Sequence, residues 1–170
     1  MDDNIILLLL VIAGLILATG AAETLTPPAA SGDSGTTEPS GLPADVSMSS
    51  PPSVSGNYTA AAIAQLAAWA GFTGAALIIA TAIALAESSG NPNAHGDIGI
   101  GQGSFGLWQI NAYYHPEYGP DFTKLYDPET NANAAYAIYL AAGSSFSPWS
   151  TFKNRAYMTY YSAAQNAVGA

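Results

Sequence analysis

Polarity along the chain changes abruptly three times. Residues 5–22, IILLLLVIAGLILATGAA, hold no charge and are almost wholly apolar. Residues 23–57 are rich in Pro, Ser, Gly and Thr and hold few large apolar side chains. From residue 59 to 86 charge disappears again, and Glu87 closes that run. The rest of the chain mixes glycine-rich polar segments with short apolar ones.

Read for period, the third region gives two helices. Thr59 can cap a first helix over 60–70, with Ile63, Leu66, Ala67 and Ala70 on one face, and Gly71 stops it. Trp69 reads as core. Thr73 can cap a second helix over 74–87. Leu77, Ile78, Ile79, Ile83 and Leu85 cover it on nearly every side, which predicts a helix through the middle of the domain. The competing reading is a membrane span over 59–86. Against it stand Gly71 and Gly74, the polar interruptions Gln65 and Thr73, and alanine where a span would favour leucine.

Ser88 to Asn93, SSGNPN, has strong turn chemistry. Residues 98–111 read as a small hairpin or looped β segment, whose glycines at 99, 101, 103 and 106 allow close backbone approach. Gly101 to Gly106 fits GxGxxG, but no apolar strand precedes it and no helix obviously follows, so a nucleotide loop is discounted. Asp127-Pro128-Glu129 starts a helix over 128–142 that stops at Gly143. Residues 144–150 form a loop with an exposed-looking Trp149. Ser150 or Thr151 can cap a last helix over 151–167. The fold class is mainly α with one small β element.

The first two regions are read as an anchor and a tether. Eighteen uncharged residues in a helix span about 27 Å, close to a bilayer core. A secretory signal is the rival, with small residues at Ala18 and Gly20 to Ala22 for cleavage. Asp2 and Asp3 stand where a signal carries basic residues, which favours a retained single-span anchor over residues 1–22. No basic residue flanks the run, so the positive-inside rule gives no orientation. Residues 23–57 bury too little to offset their ordering entropy and read as a linker. The domain is then 58–170.

Charge and composition narrow the function. The formal net charge is −9, from twelve acids against three bases. That excludes nucleic acid as partner, since binding it needs basic patches. Cysteine is absent, so no disulfide forms. The two histidines, in Ala-His-Gly-Asp and Tyr-His-Pro-Glu, fit no zinc spacing and read as turn residues, so no metal or other cofactor is called. Neither sits in a context that would activate a serine.

Glu87 is the residue with a chemical claim. Apolar surroundings and a helix C-terminus both disfavour its ionised form. No Lys or Arg occurs before Lys124 to compensate locally. A carboxylic acid that keeps its proton near neutral pH is what protonating a glycosidic oxygen requires. The plain alternative is a helix-terminal Glu pointing at water.

Residues 82–111 shift that balance. Ala-Leu-Ala-Glu-Ser-Ser at 84–89, followed by Gly106-Leu107-Trp108-Gln109, resembles the lysozyme-like superfamily, most closely its lytic transglycosylases and the related phage muralytic domains. Leu125 to Pro128, with Asn131, Asn133, Ala134 and Tyr136, resembles the helix that follows in that family. The likeness covers about 58–155. It implies cleavage of the β-1,4 bond between N-acetylmuramic acid and N-acetylglucosamine in peptidoglycan, with Glu87 as general acid and then base. It implies that Gln109, Asn111 and the backbone of Ser104, Phe105 and Gly106 hold sugar, and that Ser88 bonds near the reacting sugar or orients Glu87. Trp149 is left between stacking on sugar and core packing, while Trp108 reads as core. Tyr113 and Tyr114 are further stacking candidates.

Two departures qualify the resemblance. Animal-type lysozymes carry a second carboxylate where this chain has Ser104, and Asp97 is the only other acid nearby. Hydrolysis with two carboxylates needs such a partner. Without it the substrate's own acetamido and 6-hydroxyl groups could act, giving an anhydro product. The third family motif, Ala-Tyr-Asn, has Ala156-Tyr157-Met158 as its nearest match, which makes Tyr157 a candidate contact. The expected partners are peptidoglycan glycan strands and, through the anchor, a membrane. The domain would lie on the cell-wall side or in a membrane-containing virion, with virion or envelope proteins as assembly partners. A glycan-binding or structural protein without turnover is the alternative.

Overall fold

The computed structural model describes residues 50–169, so the anchor over 1–22 and most of the linker lie outside the described residues. These residues form five α-helices and a three-stranded antiparallel sheet: α1 Ala60–Ala70, α2 Gly74–Ser88, β1 His95–Gly96, β2 Ser104–Phe105, β3 Ile110–Asn111, α3 Pro128–Ala141, α4 Ser150–Lys153 and α5 Met158–Val168. Two 3-10 turns, Pro116–Tyr118 and Phe122–Tyr126, join β3 to α3. Among the described residues no helix is long and apolar enough to cross a membrane.

Local chemistry sets α1. The Thr59 side chain accepts a hydrogen bond from the Ala62 amide, and Gly71 ends the helix in the left-handed region at φ 118. A Cβ there would sit 2.6 Å from the Tyr136 ring, so glycine is required for both conformation and space. The membrane-span reading of 59–86 fails at this turn: the run forms two helices of 11 and 15 residues. Thr73 precedes α2 but its side chain makes no capping bond. Gly74 follows it in the left-handed region at φ 53.

Only the C-terminal half of α2 is central. Ala80 to Ala84 are buried, whereas Leu77, Ile78, Ile79 and Leu85 are half-covered. Alanines at 80, 82 and 84 let α1 and α5 come close, and their small size replaces the leucine packing of a larger core. The α2 helix ends with Ser89 in the left-handed region. The Ser88 hydroxyl donates to the Ala84 carbonyl at 2.9 Å and accepts from the Gly90 amide. Gly90 packs directly on the Tyr58 backbone, whose amide donates to the Gly90 carbonyl at 2.7 Å.

The sheet is pinned from α3. Asp127 caps α3 by accepting from the Thr130 amide, with Pro128 in the first turn. This sets the fully buried Asn131 under the β2–β3 turn. Its Oδ1 accepts from the Trp108 amide at 2.8 Å, and its Nδ2 donates to the Phe105 and Leu125 carbonyls, each at 2.9 Å. Trp108 is wholly buried and its Nε1 donates to the Ala80 carbonyl.

Two expectations for the C-terminus are corrected. Trp149 is not exposed: it is 6% accessible, and its Nε1 donates to the Trp108 carbonyl at 2.9 Å. The helix expected over 151–167 is broken. A single turn, α4, precedes a bend in which the Asn154 side chain accepts from the Ala156 amide and Arg155 takes φ 64. An Asn side chain that supplies a local turn bond competes with helix continuation. The α5 helix starts only after it.

Candidate active site

The last turn of α2 carries Glu87 into a cleft of about 530 Å³. One wall is the sheet and its loops, with Asp97, Ile100, Ser104, Gln109, Ile110 and Asn111. The other comes from the α3–α4 region, with Ile138, Pro148, Trp149, Ser150 and Lys153. Tyr114 and His115 also line it.

Burial pushes the Glu87 carboxyl above its ordinary 4.5. The Thr151 hydroxyl, which donates to Glu87 Oε1 at 2.6 Å, pulls it down. The negative charge of Asp97 pushes it up again, and the Thr151 backbone lowers it. The net direction is upward, as expected for a charge withdrawn from water and a second carboxylate in the same cleft. A group so placed retains its proton further toward neutrality than a surface glutamate.

Asp97 is held in turn. Ser104 donates to Asp97 Oδ2 at 2.9 Å and accepts from Asn111 Nδ2 at 2.9 Å. Asn111 Oδ1 accepts from the Tyr113 amide. The register explains the contact: Ser104 on β2 pairs with Gly96 on β1 and with Asn111 on β3, so all three strands meet beside Asp97. Thus Ser104, the residue standing in for a carboxylate, hands its hydroxyl to a carboxylate one strand away. Asp97 and Gln109 both take left-handed backbone, at φ 49 and φ 46. Such conformations cost energy in non-glycine residues and concentrate at functional sites.

Of the candidates from sequence, Glu87, Ser104, Gln109, Asn111 and Trp149 meet at the cleft. The Gln109 Nε2 is engaged by the Ala94 and Gly106 carbonyls, at 3.0 and 2.8 Å, which leaves its Oε1 as the acceptor to offer. Four others lie off the cleft lining. The Ser88 hydroxyl closes the helix end. Phe105 is buried between the His95 ring, 4.5 Å away, and Phe122. Gly106 holds φ 75 where a side chain would collide with Leu125 and Asn131. Tyr157 stacks on Phe152 at 5.3 Å. His95 bonds the Gln102 carbonyl and His115 pairs with Glu117.

Sequence reading did not single out Thr151 or Lys153 for the site. In sequence Thr151 is, with Ser150, a candidate helix cap, and nothing local signals a contact made across 64 residues.

The family model described as Lysozyme like domain matches residues 64–151, just over half of the 170 residues. The chain belongs to the lysozyme-like domain family. Neither curated proteins nor solved structures give a match. The matched span of this lysozyme-like domain starts in α1 and ends on Thr151, so it encloses Glu87, the sheet wall and α3.

Proposed function

We propose that the chain is a peptidoglycan-cleaving lytic transglycosylase acting on the β-1,4 bond between N-acetylmuramic acid and N-acetylglucosamine. One observation carries this reading: a partly buried glutamate with a raised pKa lies in an open cleft, with Gln109 and Asn111 in the facing wall. Protonated Glu87 gives its proton to the glycosidic oxygen while the bond to the sugar C1 breaks and its electron pair goes to that oxygen. The muramoyl 6-hydroxyl then attacks C1 and returns its proton to the Glu87 carboxylate, which leaves an anhydro end. Water in place of the 6-hydroxyl would leave a reducing end. Asp97, set in the cleft by Ser104, is the observation that favours this hydrolytic variant, because it supplies the second carboxylate.

The apolar run over 5–22 and the polar stretch after it support a membrane tether. That arrangement suits local wall opening during virion entry, or wall remodelling at a membrane.

The test is release of soluble fragments from purified peptidoglycan by the full chain, read by mass spectrometry. Anhydro ends support the transglycosylase, and reducing ends the hydrolytic variant. Absence of fragments would support a glycan-binding protein without turnover. Glu87→Gln is expected to abolish release, and undiminished release by that variant refutes the assignment of the acid.

A further inference from the structure

The α4 turn is only four residues long, yet it supplies the one side chain that hydrogen-bonds Glu87 among the described residues. The bond ties Thr151 Oγ1 to Oε1 at 2.6 Å, within the range of charge-assisted O–H···O bonds. Among the described residues no side chain engages Oε2, and no buried side-chain oxygen lacks a partner, so Oε2 keeps access to solvent on a residue that lines the cleft. The two carboxyl oxygens are therefore inequivalent.

We propose that Thr151 is the positioning residue for Glu87: by locking Oε1 as an acceptor it makes Oε2 the oxygen that carries the proton and delivers it. This rests on the reading of Glu87 as the acid and extends it to a residue that none of the motifs carrying the resemblance includes. With the carboxyl protonated, the Thr151 hydroxyl bonds the carbonyl-like Oε1 and the proton sits on Oε2. When Oε2 loses that proton to the glycosidic oxygen, the hydroxyl is already aimed at the carboxylate. Its bond strengthens as negative charge develops, so the contact favours the transition state over the ground state. Tyr157, the nearest match to the third family motif, stacks on Phe152 and meets Tyr161 edge-on. The α4 turn supplies the hold on Glu87.

The position also explains the bend after α4. The chain must hold Thr151 against the end of α2 while α5 packs along α2, and one straight helix from 151 to 167 would not leave the turn at Asn154 to Tyr157 that separates these tasks.

The experiment compares Thr151→Val, which removes the hydroxyl at nearly constant shape, with Thr151→Ser, which restores it. Both are made in the full chain, together with Glu87→Gln. Asp97, Tyr114, His115 and Lys153, the other titratable groups lining the cleft, stay in place throughout. The carboxyl of Glu87 is titrated by carbon NMR without substrate, its signal being the one missing in Glu87→Gln. Fragment release gives kcat and KM across pH. Removing a donor to the carboxylate should raise the Glu87 pKa in the Val variant. It should also lower kcat by roughly tenfold to a hundredfold at near-constant KM, the worth of a hydrogen bond to a charged group. Thr151→Ser should recover most of both effects. A Val variant with unchanged titration and unchanged kcat overturns the proposal. So does a Ser variant as impaired as Val, since that would point to packing of the methyl. Turnover retained by Glu87→Gln would overturn the reading of Glu87 instead, and the titration separates the two because it needs no substrate.

Discussion

Replacing Asn131 by Ala should be among the most damaging single changes to this domain. Its side chain is fully buried and makes three hydrogen bonds, one accepted from the Trp108 amide and two donated to the Phe105 and Leu125 carbonyls. Alanine leaves one buried N–H and two buried carbonyls without these partners. A buried polar group left unpaired costs about 1–3 kcal/mol, the carbonyls falling at the low end because each keeps a second lone pair. A loss of roughly 3–5 kcal/mol follows, a large part of the 5–15 kcal/mol of a typical domain. Asn131→Asp keeps the acceptor for Trp108 but turns an oxygen toward two carbonyls and buries a charge, so it should cost at least as much. The assay is denaturant unfolding followed by tryptophan fluorescence. All three tryptophans, Trp69, Trp108 and Trp149, lie in the domain, so the full chain can be used and its N-terminal segment is silent. A loss below about 1 kcal/mol for Asn131→Ala would show that water or backbone movement satisfies the three groups, and the argument would fail.

The ionisation of Glu87 gives a prediction on stability. A carboxyl whose folded pKa lies above its unfolded value binds its proton more tightly in the folded state, so ionisation weakens the fold above that folded value. Glu87→Gln removes this cost: its Tm should exceed that of the unsubstituted chain at pH 7, and the gain should vanish as pH falls below the ordinary 4.5, where the carboxyl is neutral in both states. A gain independent of pH, read by thermal scans at several pH values, would contradict it. The proposed tether is tested by the intact mass of protein recovered from the membrane fraction: the full chain is expected, and a product lacking residues 1–22 would show a cleaved signal instead.

What was legible in the sequence is what local chemistry decides. The limits of α1 follow from a capping threonine and a left-handed glycine, and α3 from Asp127-Pro128. Glu87 stood out because a lone acid after an uncharged run is physically unusual, and the cleft around it supplies the burial that raises its pKa. What was not legible depends on contacts between distant residues. Trp149 sits in a serine-rich loop and looks solvent-bound until Trp108 offers its carbonyl across 41 residues. Thr151 looks like a cap, but its hydroxyl is drawn to Glu87, and Trp149 takes the cap position of α4 without a side-chain bond.

Ser104 shows most clearly how a position-by-position comparison with lysozymes can mislead. At its place in the sequence the second carboxylate is missing, which alone argues for an anhydro product. In the folded sheet a carboxylate from the neighbouring strand's loop lies beside that position, because an antiparallel register sets Ser104 opposite Gly96, next to Asp97. The serine hydroxyl and Asn111 then do for Asp97 what Thr151 does for Glu87: each acid of the cleft has one oxygen tied by a hydroxyl donor. The settings differ: Asp97 is exposed and bonded to Ser104, while burial and the Asp97 charge together favour the proton on Glu87. Under the proposed reaction, the choice between water and the 6-hydroxyl at C1 turns on whether the Asp97 side chain reaches the reacting sugar, which the ends of the released fragments report directly.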